Sequence, residues 1–75
     1  MTLKQVNYFG YELKVANDIT HIAQDATGIV YAYGFKPQID FCGGWGFEGS
    51  APGAVHKIGA LKLKVNWNES LREVA

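Results

Sequence analysis

Ile29-Val30-Tyr31-Ala32-Tyr33 is a run of five β-branched, aromatic and small residues without a charge. Such residues fit a pleated, packed surface, so the run reads as a β-strand. It has no polar side, and a strand without a polar side is central or covered on both faces. Working upstream, Gln24-Asp25-Ala26-Thr27-Gly28 is turn chemistry closed by a glycine. Before it, Ile19 to Ala23 forms a short strand, with Ile22 facing the core and His21 on the opposite side. Together the two runs predict a hairpin.

A second hairpin is predicted at the start of the chain. Val6 and Tyr8 alternate with polar Asn7, and Tyr11, Leu13 and Val15 alternate with Glu12 and Lys14. That is the period of two of half-buried strands. Gly10 between them supplies the positive φ of a tight reversal. Downstream, Gly34-Phe35-Lys36-Pro37 ends the uncharged strand, because proline lacks an N–H and restricts the residue before it. Ile39 to Phe41 reads as a short edge strand. Cys42 to Gly53, with five glycines and one proline, reads as the main loop. Ala54 to Ile58 resumes extended structure. Leu61, Leu63 and Val65 then alternate with Lys62 and Lys64, a pattern for a strand with a basic outer face. Trp67, Leu71 and Val74 fall at i, i+4 and i+7, the stripe of a short C-terminal helix, and Asn66 with Glu69 resembles its capping pair. The expected fold is all-β: one small domain, residues 1–75, built as a twisted antiparallel sheet or partly closed barrel of about five strands with that helix packed over one face.

The chain has 75 residues, with seven Lys and Arg against seven Asp and Glu. Zero net charge argues against a nucleic-acid binder that relies on bulk attraction to phosphate. Apolar residues at 48% and charged residues at 19% argue against disorder. The single cysteine cannot form an internal disulfide, no stretch approaches the roughly 18 apolar residues of a membrane span, and the opening residues do not read as a signal peptide. The expected location is the cytoplasm, with no membrane partner.

A domain of this size gains only about 3–5 kcal/mol from its core unless something reinforces it. Two tryptophans, four tyrosines and four phenylalanines are the available reinforcement. Each buries about 150–250 Å², more in sum than so small a core can hide. The surplus points to a binding surface or to self-association into a homo-oligomer.

Sites for chemistry are poorly represented. Gly44-x-Gly46-x-x-Gly49 matches the dinucleotide fingerprint in letters, but Ser50-Ala51-Pro52-Gly53 follows where a helix N-terminus must receive the pyrophosphate. Cys42, His21 and His56 lack the close pairs of a zinc site. Ser50 with a histidine and one of Asp18, Asp25 or Asp40 supplies the letters of a triad without a nucleophile elbow. Asp25-x-x-Gly28 lacks the other ligands of a calcium loop. No catalytic residue, metal or cofactor is assigned, and the chain reads as a non-enzymatic protein. Trp45 and Phe47, two apart among glycines, are candidate contact residues, since aromatics on such loops anchor interfaces. The competing reading makes them a lid over the core. Lys57, Lys62 and Lys64 form a basic strip assigned to the same contact surface, against the ordinary role of lysine in guarding an edge strand.

Ile22-Ala23-x-Asp25-x-x-Gly28-x-Val30-Tyr31-Ala32-Tyr33, the following Lys36-Pro37, and Trp67-Asn68-Glu69-Ser70-Leu71 near the end carry a resemblance. In these pieces, across residues 6–74, the chain resembles a group of small uncharacterised bacteriophage-encoded accessory proteins. They combine such a hairpin with Lys-Pro, a Trp-bearing loop and a closing W-x-x-S-L. The group often has acidic residues around its loop tryptophan, whereas here only Glu48 is acidic between Cys42 and Gly53. The resemblance implies phage origin and a role in binding and modulating a host protein, in host takeover or counter-defence, and it carries over no catalytic residue. The alternative is a homo-oligomer that sequesters a nucleotide-type signal, with aromatics on the base and loop N–H groups and lysines on the phosphate. Single-stranded nucleic acid ranks behind both, because the net charge is zero.

Overall fold

The computed structural model describes residues 2–40, 42–47 and 52–74. It is all-β. Its strands are β1 (Leu3–Tyr8), β2 (Tyr11–Ala16), β3 (His21–Gln24), β4 (Ile29–Tyr33), β5 (Gln38–Asp40), β6 (Gly44–Gly46), β7 (Val55–Ala60) and β8 (Arg72–Glu73). A single 3₁₀ turn, Trp67–Glu69, lies between β7 and β8. Among the described residues no helix is long and apolar enough to cross a membrane.

The centre is a four-stranded antiparallel sheet in the order β7-β4-β3-β8. The uncharged strand β4 is therefore internal, as its composition requires. Its hairpin with β3 pairs His21 with Tyr33, Ile22 with Ala32, Ala23 with Tyr31 and Gln24 with Val30. Side chains alternate between faces along a strand, so this register sorts the sheet into two sides. Ile22, Gln24, Val30 and Ala32 belong to one side, and His21, Ala23, Tyr31 and Tyr33 to the other.

The first side carries the main core. The β1–β2 hairpin packs on it, bringing Val6, Tyr8 and Val15 against Ile22, Val30 and Ala32, with Ile19 and Val74 completing the cluster. The hairpin turns at Phe9 and Gly10, both with positive φ (50° and 86°). That is the conformation whose twist matches the flanking strands. Glycine adopts it freely; Phe9 is held there with its ring edge-on to Tyr8 at 4.9 Å and the Arg72 guanidinium 4.4 Å above it.

The second side faces the β5–β6 hairpin, in which Ile39 opposes Trp45. This corrects the reading of Cys42 to Gly53 as one continuous loop: Gly44–Gly46 is a strand, and it is ordered by pairing with β5. Phe41 and residues 48–51, which include the expected end of an edge strand and Gly49 and Ser50 of the motifs weighed above, lie outside the described residues.

Two further expectations change. Leu61, Leu63 and Val65 are half-buried and Lys62 and Lys64 exposed, so the alternation is real, but this segment joins no ladder. It is held instead by separate bonds, among them the Tyr11 hydroxyl donating to the Lys62 carbonyl at 2.8 Å and the Leu61 N–H to the Gly28 carbonyl at 3.3 Å. The helical tail contracts to the 3₁₀ turn, and Arg72 and Glu73 pair with Ile22 and His21 on β3. Two turns of isolated helix are marginal in water. Extended pairing gives the tail backbone partners on an open sheet edge and still buries Val74.

Candidate functional site

A groove of about 330 Å³ lies on the second side of the sheet, lined by Tyr31, Tyr33, Phe35, Trp45, Phe47 and Asp25, with Val55 and two glycines of β6 at its margin. Its volume falls in the range of small-ligand sites, and its walls are mostly aromatic. Three elements build it. Strand β4 contributes Tyr31 and Tyr33, and Phe35 continues their alternation past the end of the strand. Strand β6 contributes Trp45 and leads into Phe47. The β3–β4 turn contributes Asp25.

The rings are locked in an edge-to-face chain. Tyr33 and Phe35 lie 5.6 Å apart at 74°, and Phe35 and Phe47 lie 5.6 Å apart at 78°. Phe47 ends the chain and is 43% exposed. Trp45 is fixed at the other wall. Its indole N–H donates to the Gln24 carbonyl at 2.9 Å and lies 3.3 Å from that of Trp67, whose ring meets it edge-on at 6.5 Å. Trp45 is thus tied to the sheet through its indole N–H and is half-buried where it lines the groove.

The anchor behind Trp45 is a buried polar knot. Ser70 is fully buried. Its hydroxyl accepts from the Gln24 N–H at 2.8 Å and donates to the Trp67 carbonyl. Its own carbonyl accepts from the Tyr8 hydroxyl at 2.7 Å. The Gln24 side chain donates to the carbonyls of Gly28 (3.1 Å) and Leu61 (2.6 Å). A buried polar group is tolerated when it is bonded, and among the described residues no buried side-chain polar atom lacks a partner.

Asp25 has two differently used oxygens. Oδ1 accepts from the Thr27 N–H (2.9 Å), the Thr27 hydroxyl (2.6 Å) and the Ile29 N–H (3.1 Å). These bonds hold the turn, where Gly28 sits at φ 92°. Burial, the largest single influence on this carboxyl, raises its pKa; the hydrogen bonds from Thr27, Ile29 and Gly28 together outweigh burial and hold it below the usual value. Burial, then the Asp25 charge and the phenols of Tyr31 and Tyr8, pushes Tyr33 up to about 12. At neutral pH these shifts leave Asp25 as a carboxylate and Tyr33 as a neutral phenol.

Of the residues proposed from the sequence, the fold brings Trp45 and Phe47 together in this groove. It does not bring the lysines to it. Lys57 lines a separate cleft with Leu13, Val15, Ile19 and Ile58, between the β1–β2 hairpin and β7. Lys62 and Lys64 are exposed on the segment after β7. The groove is lined by aromatic side chains and Asp25, and the strip of Lys57, Lys62 and Lys64 lies apart from it. Tyr31, Tyr33, Phe35 and Asp25 line the groove with Trp45 and Phe47 and are not singled out by the sequence reading. The spacing Tyr31-x-Tyr33-x-Phe35 was the available signal, since alternation places all three on one side.

The other candidates are dispersed. His21 is buried in β3, with Nδ1 2.8 Å from the Thr20 hydroxyl and Nε2 3.9 Å from Glu73. His56 and Cys42 are exposed on β7 and beside the β5–β6 turn. Among the described residues no three His, Cys, Asp or Glu side chains gather as a metal site would require.

No protein-family model, curated protein or solved structure matches this chain. The residues quoted above from Ile22 to Tyr33, with Pro37 and Ser70, hold the fold itself. Ile22, Ala23, Val30 and Ala32 are core, Asp25 and Gly28 make the turn, Pro37 is fully buried, and Ser70 ties the tail to Gln24. Of these stretches, Asp25, Tyr31 and Tyr33 line the groove.

Proposed function

We propose that this chain is a binding protein that engages a partner protein through the aromatic groove, with Phe47 and Phe35 as contact residues and Trp45 as the fixed wall. The observation that supports it most is the partly exposed ring of Phe47 at the end of a braced aromatic chain. Rings already held in place lose little conformational freedom on binding, and such aromatics are the residues that dominate interface energies. Together with the resemblance, this reading makes the chain a phage accessory protein that modulates a host protein in the bacterial cytoplasm.

The experiment is affinity capture from bacterial lysate on the immobilised chain, with Phe47→Ser as the matched control. A stoichiometric partner held by the wild type and released by Phe47→Ser is expected. A partner retained equally by both chains, or no partner at all, rules the groove out as the contact surface.

A further inference from the structure

We propose that the aromatic groove accepts an alkylammonium group, the side chain of a lysine on the partner protein, with the rings of Phe35 and Phe47 against the cation, Tyr33 buried behind them, and the Asp25 carboxylate at the groove wall matching its charge. The inference rests on the binding role given to the groove above and names the chemistry of what enters it.

Ring geometry selects the shape of the occupant. Tyr33, Phe35 and Phe47 meet their neighbours at 74° and 78°. Near-perpendicular rings offer π-faces from two directions, which suits a compact, roughly spherical cation. A flat nucleobase stacks on one face and leaves the others unused.

Charge selects the sign. Among the described residues that line the groove, Asp25 is the one carboxylate and there is no Lys or Arg. An anionic phosphate meets repulsion here. Among the described residues the cation–π contact is Arg72 over Phe9, which belongs to the β1–β2 hairpin and not to the groove.

Hydrogen-bond capacity selects ammonium over guanidinium. The planar fork of arginine engages both oxygens of a carboxylate. Oδ1 of Asp25 already accepts three hydrogen bonds from Thr27 and Ile29. Among the described residues no hydrogen bond reaches Oδ2, and one oxygen left for a ligand matches a point charge better than a fork.

The test is an NMR titration of the ¹⁵N-labelled full chain, following the Trp45 indole N–H and the Phe35 and Phe47 amides. The probes are acetylated, amide-capped lysine, its trimethylated form, the neutral tert-butyl isostere of that form, and adenosine monophosphate. The two ammonium probes are expected to shift the groove resonances, and the neutral isostere to bind at least about tenfold more weakly. Asp25→Asn, which keeps an oxygen for the turn, is expected to lose a similar factor, and Phe47→Leu to weaken the ammonium probes without unfolding the chain. Equal binding of the isostere, or unchanged binding to Asp25→Asn, overturns the cation assignment and leaves the groove as a contact surface. A response to adenosine monophosphate with none to ammonium also overturns it, in favour of a nucleotide ligand. Silence with all four probes overturns it as well, while the Phe47→Ser capture experiment decides separately whether the groove binds a partner.

Discussion

The two sides of the central sheet are built from the same strands and do different work. On one side the β1–β2 hairpin closes over aliphatic residues, and Tyr8, Ile19, Ile22 and Val30 are fully buried. On the other the three-residue strands of the β5–β6 hairpin cover less, and Tyr31, Phe35, Trp45 and Phe47 stay partly accessible. Long paired strands with alternating side chains can cover a sheet face. Strands of three residues, two of them glycines in β6, bring one large side chain each. The short cover turns surplus aromatic surface into a groove, which is where the aromatic excess noted in the composition ends up.

This contrast makes ordered predictions. Ile22→Ala removes a fully buried side chain on the closed side and is expected to cost about 2–5 kcal/mol. That is comparable to the whole stability of a domain of this size, so urea titration followed by circular dichroism should find the variant largely unfolded. Ser70→Ala strips the polar knot that joins both sides, leaving the buried Gln24 N–H without its acceptor. A loss of about 1–3 kcal/mol is expected in the same assay. If Ser70→Ala is neutral, the two sides are not mechanically joined there.

Smaller effects belong to the open side. Trp45→Phe keeps a ring but gives up the bond to the Gln24 carbonyl, and about 1 kcal/mol should be lost. Phe47→Ala is expected to cost less than about 1 kcal/mol of stability, since its ring is partly exposed and its contact is edge-to-face, while abolishing partner capture. A cost equal to that of Ile22→Ala would erase the distinction between the sides.

Two pH dependences sharpen the same comparison, and both arise in the groove. The folded pKa of Asp25 lies below its unfolded value of about 3.9. Its stabilisation is therefore present above that value and is lost as pH falls through the folded one, so acid unfolding should be shallower in Asp25→Asn. Tyr33 is shifted the other way, up to about 12 from an ordinary 10. The unfolded chain releases this proton first, so stability is intact below about pH 10 and declines as pH rises through 12. Tyr33→Phe should flatten that alkaline decline.

Local features were legible in the chain, and most of the fold followed from them. The turn at Gly10, the turn from Asp25 to Gly28 and the period-two runs around them located both large hairpins within a residue or two. The uncharged Ile29–Tyr33 run marked the internal strand. The tail was harder, because Trp67, Leu71 and Val74 suit a helical stripe as well as they suit a turn followed by a strand. What decided it was the free edge of β3, a partner that no local pattern reveals. The site was half legible: Trp45 and Phe47 stood out among glycines, whereas Tyr31, Tyr33 and Phe35 looked like ordinary strand residues.

By itself the sequence determined an all-β domain, its two large hairpins and its surplus of aromatic side chains, because alternation and turn chemistry act over a few neighbouring residues. Only the tertiary structure decided which side of the sheet is closed, and that Trp45 is tied to Gln24 while the lysines sit elsewhere. It also decided that Asp25 lines the same groove as the rings. Those outcomes depend on pairings such as Tyr31 with Lys57 and Gln24 with Ser70, far apart in the chain. Such pairs form because whole surfaces must be buried and every buried polar group bonded at once, a condition met only by the assembled fold.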